Sequence, residues 1–221
     1  MATGCFSVQE VDVTQRPPSP RIILDDFDDG DLVPSSNLFD SWDCYQFNPA
    51  PSVRDCSDVS RDDRNLAFSL SFDLTGPSVP SDMGIGAGMS LVRQAGTVDL
   101  SPYQRLHVDV NVDAGNPPLP SVARFEIGVV CTTVNGGNGS GTYLPMVVED
   151  YTIDEFPSPN EWRSLTVSLH QLMPPAWLQI QQPSAADCLK VVDFVHFEVS
   201  SGFDVNQHAK GSLAIDNVWL E

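Results

Sequence analysis

A chain of 221 residues with 41% hydrophobic content is long enough to bury a core of its own, and no apolar run approaches the roughly 18 residues that cross a bilayer as a helix. Its formal charge of −19, from 30 acids against 11 bases, repels phosphate backbones and anionic lipid heads, which excludes nucleic acid and membrane surfaces as partners. The 18 prolines and 15 glycines leave little room for long helices, and the short runs rich in Val, Ile, Phe and Leu between them predict an all-β, two-sheet antiparallel sandwich or a barrel.

Taken in order, residues 1–21 read as an extended tether, with Gln15-Arg16-Pro17-Pro18-Ser19-Pro20 at its end. Ala2-Thr3-Gly4-Cys5 resembles the end of a bacterial lipoprotein signal, which makes Cys5 a candidate lipid-anchor site. The domain then spans residues 22–221. It opens on Ile22-Ile23-Leu24, a buried-strand pattern that runs directly into Asp25, Asp26, Asp28, Asp29 and Asp31. So many acids repel one another unless they are solvated or share a cation. The chain closes on a matching strand pattern, Leu213 to Leu220, interrupted by Asp216 and Asn217. If the two strands lie together, their acids meet, and a structural Ca2+ is expected there. Calcium needs six to eight oxygens, so carbonyls and Asp28 or Asn65 would have to assist. The opening is not an EF-hand, because the twelfth position counted from Asp26 is Asn37.

Between these ends the expected strands are 38–47, 66–72, 89–92, 106–112, 122–130, 143–148, 162–169 and 191–199. Residues 49–65 read as a polar loop, 76–88 as a long Pro/Gly loop, and 135–141 as a flexible hairpin loop. An acidic turn through Asp154 and Glu155 is expected after the 143–148 strand, and a loop or single helical turn over 172–186. The five cysteines include no CxxC pair and no Cys/His cluster of zinc spacing. Cys44, Cys56, Cys131 and Cys188 allow three pairings into two disulfides; Cys44–Cys56 and Cys131–Cys188 are preferred, and they imply an oxidising compartment.

The order of LDDFDDGD (residues 24–31), VDLSPYQRLHVDV (98–110), NEWRSLTVSLHQL (160–172) and LAIDNVWL (213–220) resembles the galactose-binding-domain-like jelly rolls of bacterial carbohydrate-binding modules. The likeness is greatest to families 11 and 30 and their CIA30-type relatives. It implies a jelly roll with neighbouring first and last strands, a calcium near them whose matching acids are Asp25 or Asp26 and Asp216, and a polar sheet face that takes a poly- or oligosaccharide.

Three strands sort their residues by period two: His107, Asp109 and Asn111 against valines, Arg124 and Glu126 against Phe125 and Ile127, and His196 and Glu198 against Val195, Phe197 and Val199. Were these strands neighbours, one outer face would gather His107, Asp109, Arg124, Glu126, His196 and Glu198. Such a set suits the vicinal hydroxyls of a sugar. Tyr143 and Trp177 are the candidate stacking platforms, with Tyr45 a further one; Trp162 and Trp219 match structural positions of the family, and Trp42 fits either role. No nucleophile elbow, P-loop, dinucleotide glycine pattern or HExxH occurs. Paired acids such as Glu126 with Glu198, or Glu149 with Asp150, are expected by chance among so many. The reading is therefore a secreted or lipid-anchored, monomeric, non-catalytic carbohydrate-binding module. A cell-envelope protein-interaction sandwich is the alternative, and a glycan-active enzyme stands behind both.

Overall fold

The computed structural model describes residues 21–47, 55–62, 65–73, 86–113, 123–131, 145–156, 161–175, 183–200 and 210–221. Among them the period-two runs become strands β1 (Ile22–Asp25), β2 (Ser41–Phe47), β3 (Asp55–Asp62), β4 (Asn65–Asp73), β5 (Gly86–Val92), β6 (Arg105–Asp113), β7 (Arg124–Val130), β8 (Met146–Thr152), β9 (Arg163–Ser168), β10 (Phe194–Ser200) and β11 (Lys210–Leu220). Helix α1 (Ala185–Cys188) is a single turn, capped where the Ser184 hydroxyl accepts the Asp187 N–H.

Two antiparallel sheets form. The first runs β3-β4-β11-β6-β9, and β1 also pairs with β11; the second runs β2-β5-β10-β7-β8. Strand β11 is long enough to hold two partners on one side: β4 lies along Lys210–Ile215 and β1 along Val218–Leu220. The first and last strands are thus neighbours, as expected. The inward sets of both sheets form one core, with Leu24, Phe68, Val108, Val110, Leu213 and Ile215 from the first sheet meeting Met89, Leu91, Phe125, Ile127, Val195 and Phe197 from the second. At its centre an aromatic group spans the sheets: the Phe27 and Trp42 ring centroids lie 5.2 Å apart, and Trp42 is 5.6 Å from Phe68 and 6.0 Å from Phe197. Trp42 is therefore core rather than a ligand platform.

Two expectations are corrected. The polar loop over 49–65 contains strand β3, which pairs with β4 from Asp55↔Ser71 to Asp62↔Asn65. Its sequence, DCSDVSRD, has too few apolar residues to read as a strand, but it forms the sheet edge, which needs little apolar content. The strand expected to end at Val148 instead continues to Thr152, held by β7 through Gly128↔Val148 and Glu126↔Asp150, and the acidic turn through Asp154 and Glu155 follows as a single 3-10 turn over Ile153–Glu155. The tether, Cys5, Tyr143 and Trp177 lie outside the described residues.

The expected disulfides both form. Cys44–Cys56 joins edge strands β2 and β3 of opposite sheets, and Cys131–Cys188 ties the end of β7 to α1. They close segments of very different length, with sequence separations of 12 and 57. Replacing Cys131 and Cys188 by serine should cost about 4 kcal/mol, against about 3 kcal/mol for the Cys44/Cys56 pair, if restriction of the unfolded chain dominates. Denaturant titration of the two double variants checks the order; a larger loss at the shorter loop contradicts it.

Candidate functional site

The six polar residues expected on one face divide between the two sheets. His107 and Asp109 lie on β6 of the first sheet, and Arg124, Glu126, His196 and Glu198 on β7 and β10 of the second. Alternation shows which side of a strand faces the core, and carries no information on which sheet the strand joins.

On the first sheet the polar side chains pair largely with one another, although His107 Nε2 is buried without a hydrogen bond, 3.5 Å from Glu221 Oε1. The Ser164 hydroxyl and the Asn217 side-chain amide donate to the two oxygens of Asp109, the latter over 3.0 Å. His107 shares a 3.0 Å hydrogen bond with the Thr166 hydroxyl and lies flat on Trp219, with centroids 3.6 Å apart and planes 1° from parallel. The Arg21 guanidinium lies 4.3 Å from the Trp219 ring centroid. Arginine and histidine thus both stack on this ring, which fits the structural role expected of it.

The acidic opening is built differently from the expected cation site. Asp25 and Asp216 are both fully buried, but Asp25 Oδ1 accepts the Phe27 N–H (3.0 Å) and Oδ2 accepts the indole N–H of Trp42 (2.7 Å). Asp216 accepts the backbone N–H of Asn217 on Oδ1 and its amide on Oδ2. Each carboxylate thus already serves two N–H donors, and among the described residues no group of three or more His, Cys, Asp or Glu is placed to hold a metal. Asp29 and Asp31 accept backbone N–H groups two residues on, as turn formers do. EDTA is accordingly expected to leave the melting temperature unchanged; a fall of several degrees that calcium alone restores would contradict this.

The second sheet carries the candidate site on its outer face. Register places Tyr45 (β2) beside Gly88 (β5), Gly88 beside Glu198 (β10), Glu198 beside Glu126 (β7), and Glu126 beside Asp150 (β8). One row of side chains thus crosses all five strands, roughly 19 Å at the usual strand spacing. The Tyr45 hydroxyl donates to Glu198 Oε2 over 2.8 Å. A side chain at Gly88 would meet it: an added Cβ would fall 2.6 Å from the Tyr45 hydroxyl. One row along, His196 lies over Gly128, where a Cβ would fall 1.8 Å from Nε2. That nitrogen is 3.1 Å from Glu126 Oε1 but lacks the alignment of a hydrogen bond. Farther along, Val130, Met146, Val148 and Phe194 form a small apolar cluster, with the Phe194 ring 6.3 Å from His196.

Burial governs the charge of this row although it faces away from the core. Glu126 is 6% exposed and His196 3%. Burial pushes the Glu126 carboxyl well up; the Asp150 charge and a hydrogen bond between the two acids push the same way. Burial, then the Glu126 charge, raises Glu198 from 4.5 to about 7, against the opposing effects of His196 and the Tyr45 hydroxyl. Burial lowers His196, with Glu198 and Asp150 working against it. The His196–Glu126 contact is therefore between neutral groups. Carboxyl groups so held can both donate to and accept from hydroxyls.

Of the expected ligand residues, the structure brings together Glu126, His196 and Glu198, with Arg124 farther along the same face of β7, and leaves out His107 and Asp109. The sequence reading undervalued Asp150, which the alternation of β8 places outward, and Gly88 and Gly128, whose missing side chains make room for Tyr45 and His196.

Among the described residues no helix is long and apolar enough to cross a membrane. No protein-family model and no curated protein matches the sequence. Solved structures do. The family 11 carbohydrate-binding module of the cellulosomal cellulase Lic26A-Cel5E of Clostridium thermocellum is similar at 16% identity and a TM-score of 0.52, over 91% of this chain and 94% of that one. A family 11 module from the same organism in complex with a β-1,3-1,4-mixed-linked tetrasaccharide is similar at 15% identity and TM-score 0.52, over 90% and 94%. A family 28 module specific for non-crystalline cellulose is similar at 13% identity and TM-score 0.52, over 92% and 96%. The chain thus has the two-sheet β-sandwich fold of the family 11 and family 28 carbohydrate-binding modules.

Proposed function

We propose that this protein is a non-catalytic carbohydrate-binding module, and that a poly- or oligosaccharide lies along the row Tyr45–Glu198–Glu126–Asp150 with His196 beside it. The single observation that carries the reading is that row: four of the five strands align polar, hydroxyl-matching groups over the length of a short oligosaccharide, with an aromatic ring at one end. Module-length similarity to sugar-binding sandwiches supports it, as does the tetrasaccharide bound in one of them.

The placement of the acids favours binding over hydrolysis. Glu126 and Glu198 stand side by side on one sheet face, whereas glycoside hydrolysis needs two carboxyls flanking the scissile bond. Glu149 and Asp150 are successive strand residues and point to opposite faces. The disulfides support an exported protein, extracellular or in the cell envelope. Attachment through a lipidated Cys5 belongs to the same proposal.

Affinity electrophoresis against mixed-linkage β-glucan, amorphous cellulose, xylan and agarose tests the reading. Retardation by at least one polysaccharide is expected, and Tyr45→Ala should weaken it about tenfold or more by removing the ring and its bond to Glu198. Unretarded migration in every gel, with the protein folded, sinks the proposal.

A further inference from the structure

The row does more than match hydroxyls. Three carboxyl groups, Glu198, Glu126 and Asp150, stand directly opposite one another on adjacent strands, where like charges are mutually destabilising. The groups shifting Glu126 and Glu198 come from four of the five strands at the row: Tyr45 on β2, His196 on β10, and the acids themselves on β10, β7 and β8, while β5 offers only Gly88. Among the described residues no lysine or arginine is one of them. Arg124 lies two residues from Glu126, and its guanidinium donates to the Ala123 carbonyl. His196 Nε2, buried and without a hydrogen bond, is directed at Glu126 Oε1. The arrangement crowds acids, supplies no cation from β2, β5, β10 or β8, and leaves a buried polar atom unsatisfied beside them.

We infer that the site takes a glycan bearing free amino groups, with a ligand ammonium seated between Glu126 and Glu198 and hydroxyls directed to Asp150, Tyr45 and His196. The inference rests on the sugar-binding reading and names its ligand class. An ammonium there compensates the like charge of the ionised acids and makes two charge-assisted hydrogen bonds. A neutral N-acetylated sugar supplies no such compensation, and an anionic uronate adds to the like charge. Because burial and crowding raise both carboxyls, Glu198 to about 7, seating the cation favours their ionised forms and expels a proton to solvent, which a neutral sugar does not.

Calorimetry with a β-1,4-linked glucosamine tetramer, its N-acetylated counterpart, a mixed-linkage glucan tetrasaccharide and pentalysine tests this, each in two buffers of different ionisation enthalpy. The glucosamine tetramer is expected to bind at least about tenfold more tightly than the N-acetylated one, with an enthalpy that depends on the buffer because protons are released. Glu126→Gln should abolish most of that preference. It alters the net charge by only one, so attraction to the overall acidity of the protein would survive it. Equal affinity for the two amino-sugar tetramers, a preference that survives Glu126→Gln, or pentalysine binding as tightly as glucosamine overturns the inference. If the neutral glucan then still binds, the broader sugar-binding reading stands; if no saccharide binds, both fall.

Discussion

Replacing Asp25 by alanine is expected to lower stability by roughly 2–4 kcal/mol, which for a domain of this size is a fall of about 5–15 °C in melting temperature. The carboxylate accepts from two buried donors, the Phe27 backbone N–H and the Trp42 indole N–H, and alanine leaves both unmet. The first bond holds a turn in which Phe27 adopts a φ of 54°, a region unfavourable for a bulky side chain, so that its ring can enter the core. The second crosses from the first sheet to the second. Asp25→Asn should fall between wild type and alanine, because the amide offers one acceptor where two are needed. Trp42→Phe in the Asp25→Ala background should cost less than in the native chain, since the indole N–H is already unpartnered. Additive losses, or an alanine variant within about 0.5 kcal/mol of wild type, contradict the assigned role.

Glu198→Gln, by contrast, is expected to raise stability at pH 8 by up to about 3 kcal/mol while leaving it nearly unchanged at pH 4. Glu198 titrates at about 7 in the folded chain against 4.5 ordinarily, and Asp25 at about 6 against 3.8. Both bind protons more tightly when folded, so folding takes up protons between pH 4 and 7. Their stabilising contribution is present in full below their ordinary values and is lost as pH rises through the folded ones. Glu126 acts in the same direction. His196, lowered by burial, works in the opposite sense, losing its contribution as pH falls below 6.5. Glutamine mimics the protonated acid, still accepts from the Tyr45 hydroxyl, and removes the titration. Thermal melts of wild type and variant from pH 4 to 8 should therefore diverge with rising pH, and parallel curves refute the account. A native residue that costs stability at neutral pH is expected where function, rather than folding, selects the side chain.

Class, strand content and the neighbouring of the two ends followed from local physics. Valines alternating with polar residues in β6, and phenylalanine and isoleucine alternating with arginine and glutamate in β7, could bury one side only as strands. The apolar opening and closing runs needed partners, and found each other. The outward set of each strand was equally legible, and Glu126, His196 and Glu198 do share one face. Assignment of strands to sheets was decided only by long-range pairing, which separates His107 and Asp109 from the rest because β6 is matched to β11 and β9. Strand β3 was hidden because an edge needs little apolar content, and Asp150 because the apolar run ends at Val148 whereas pairing with β7 carries the strand on to Thr152. The five aspartates of the opening marked a special place, but charge density alone does not tell ligands from hydrogen-bond acceptors. That depended on the Trp42 indole, 17 residues away, whose N–H points at Asp25. Period and composition determine which side of a strand meets water; only the folded arrangement determines which side chains meet one another.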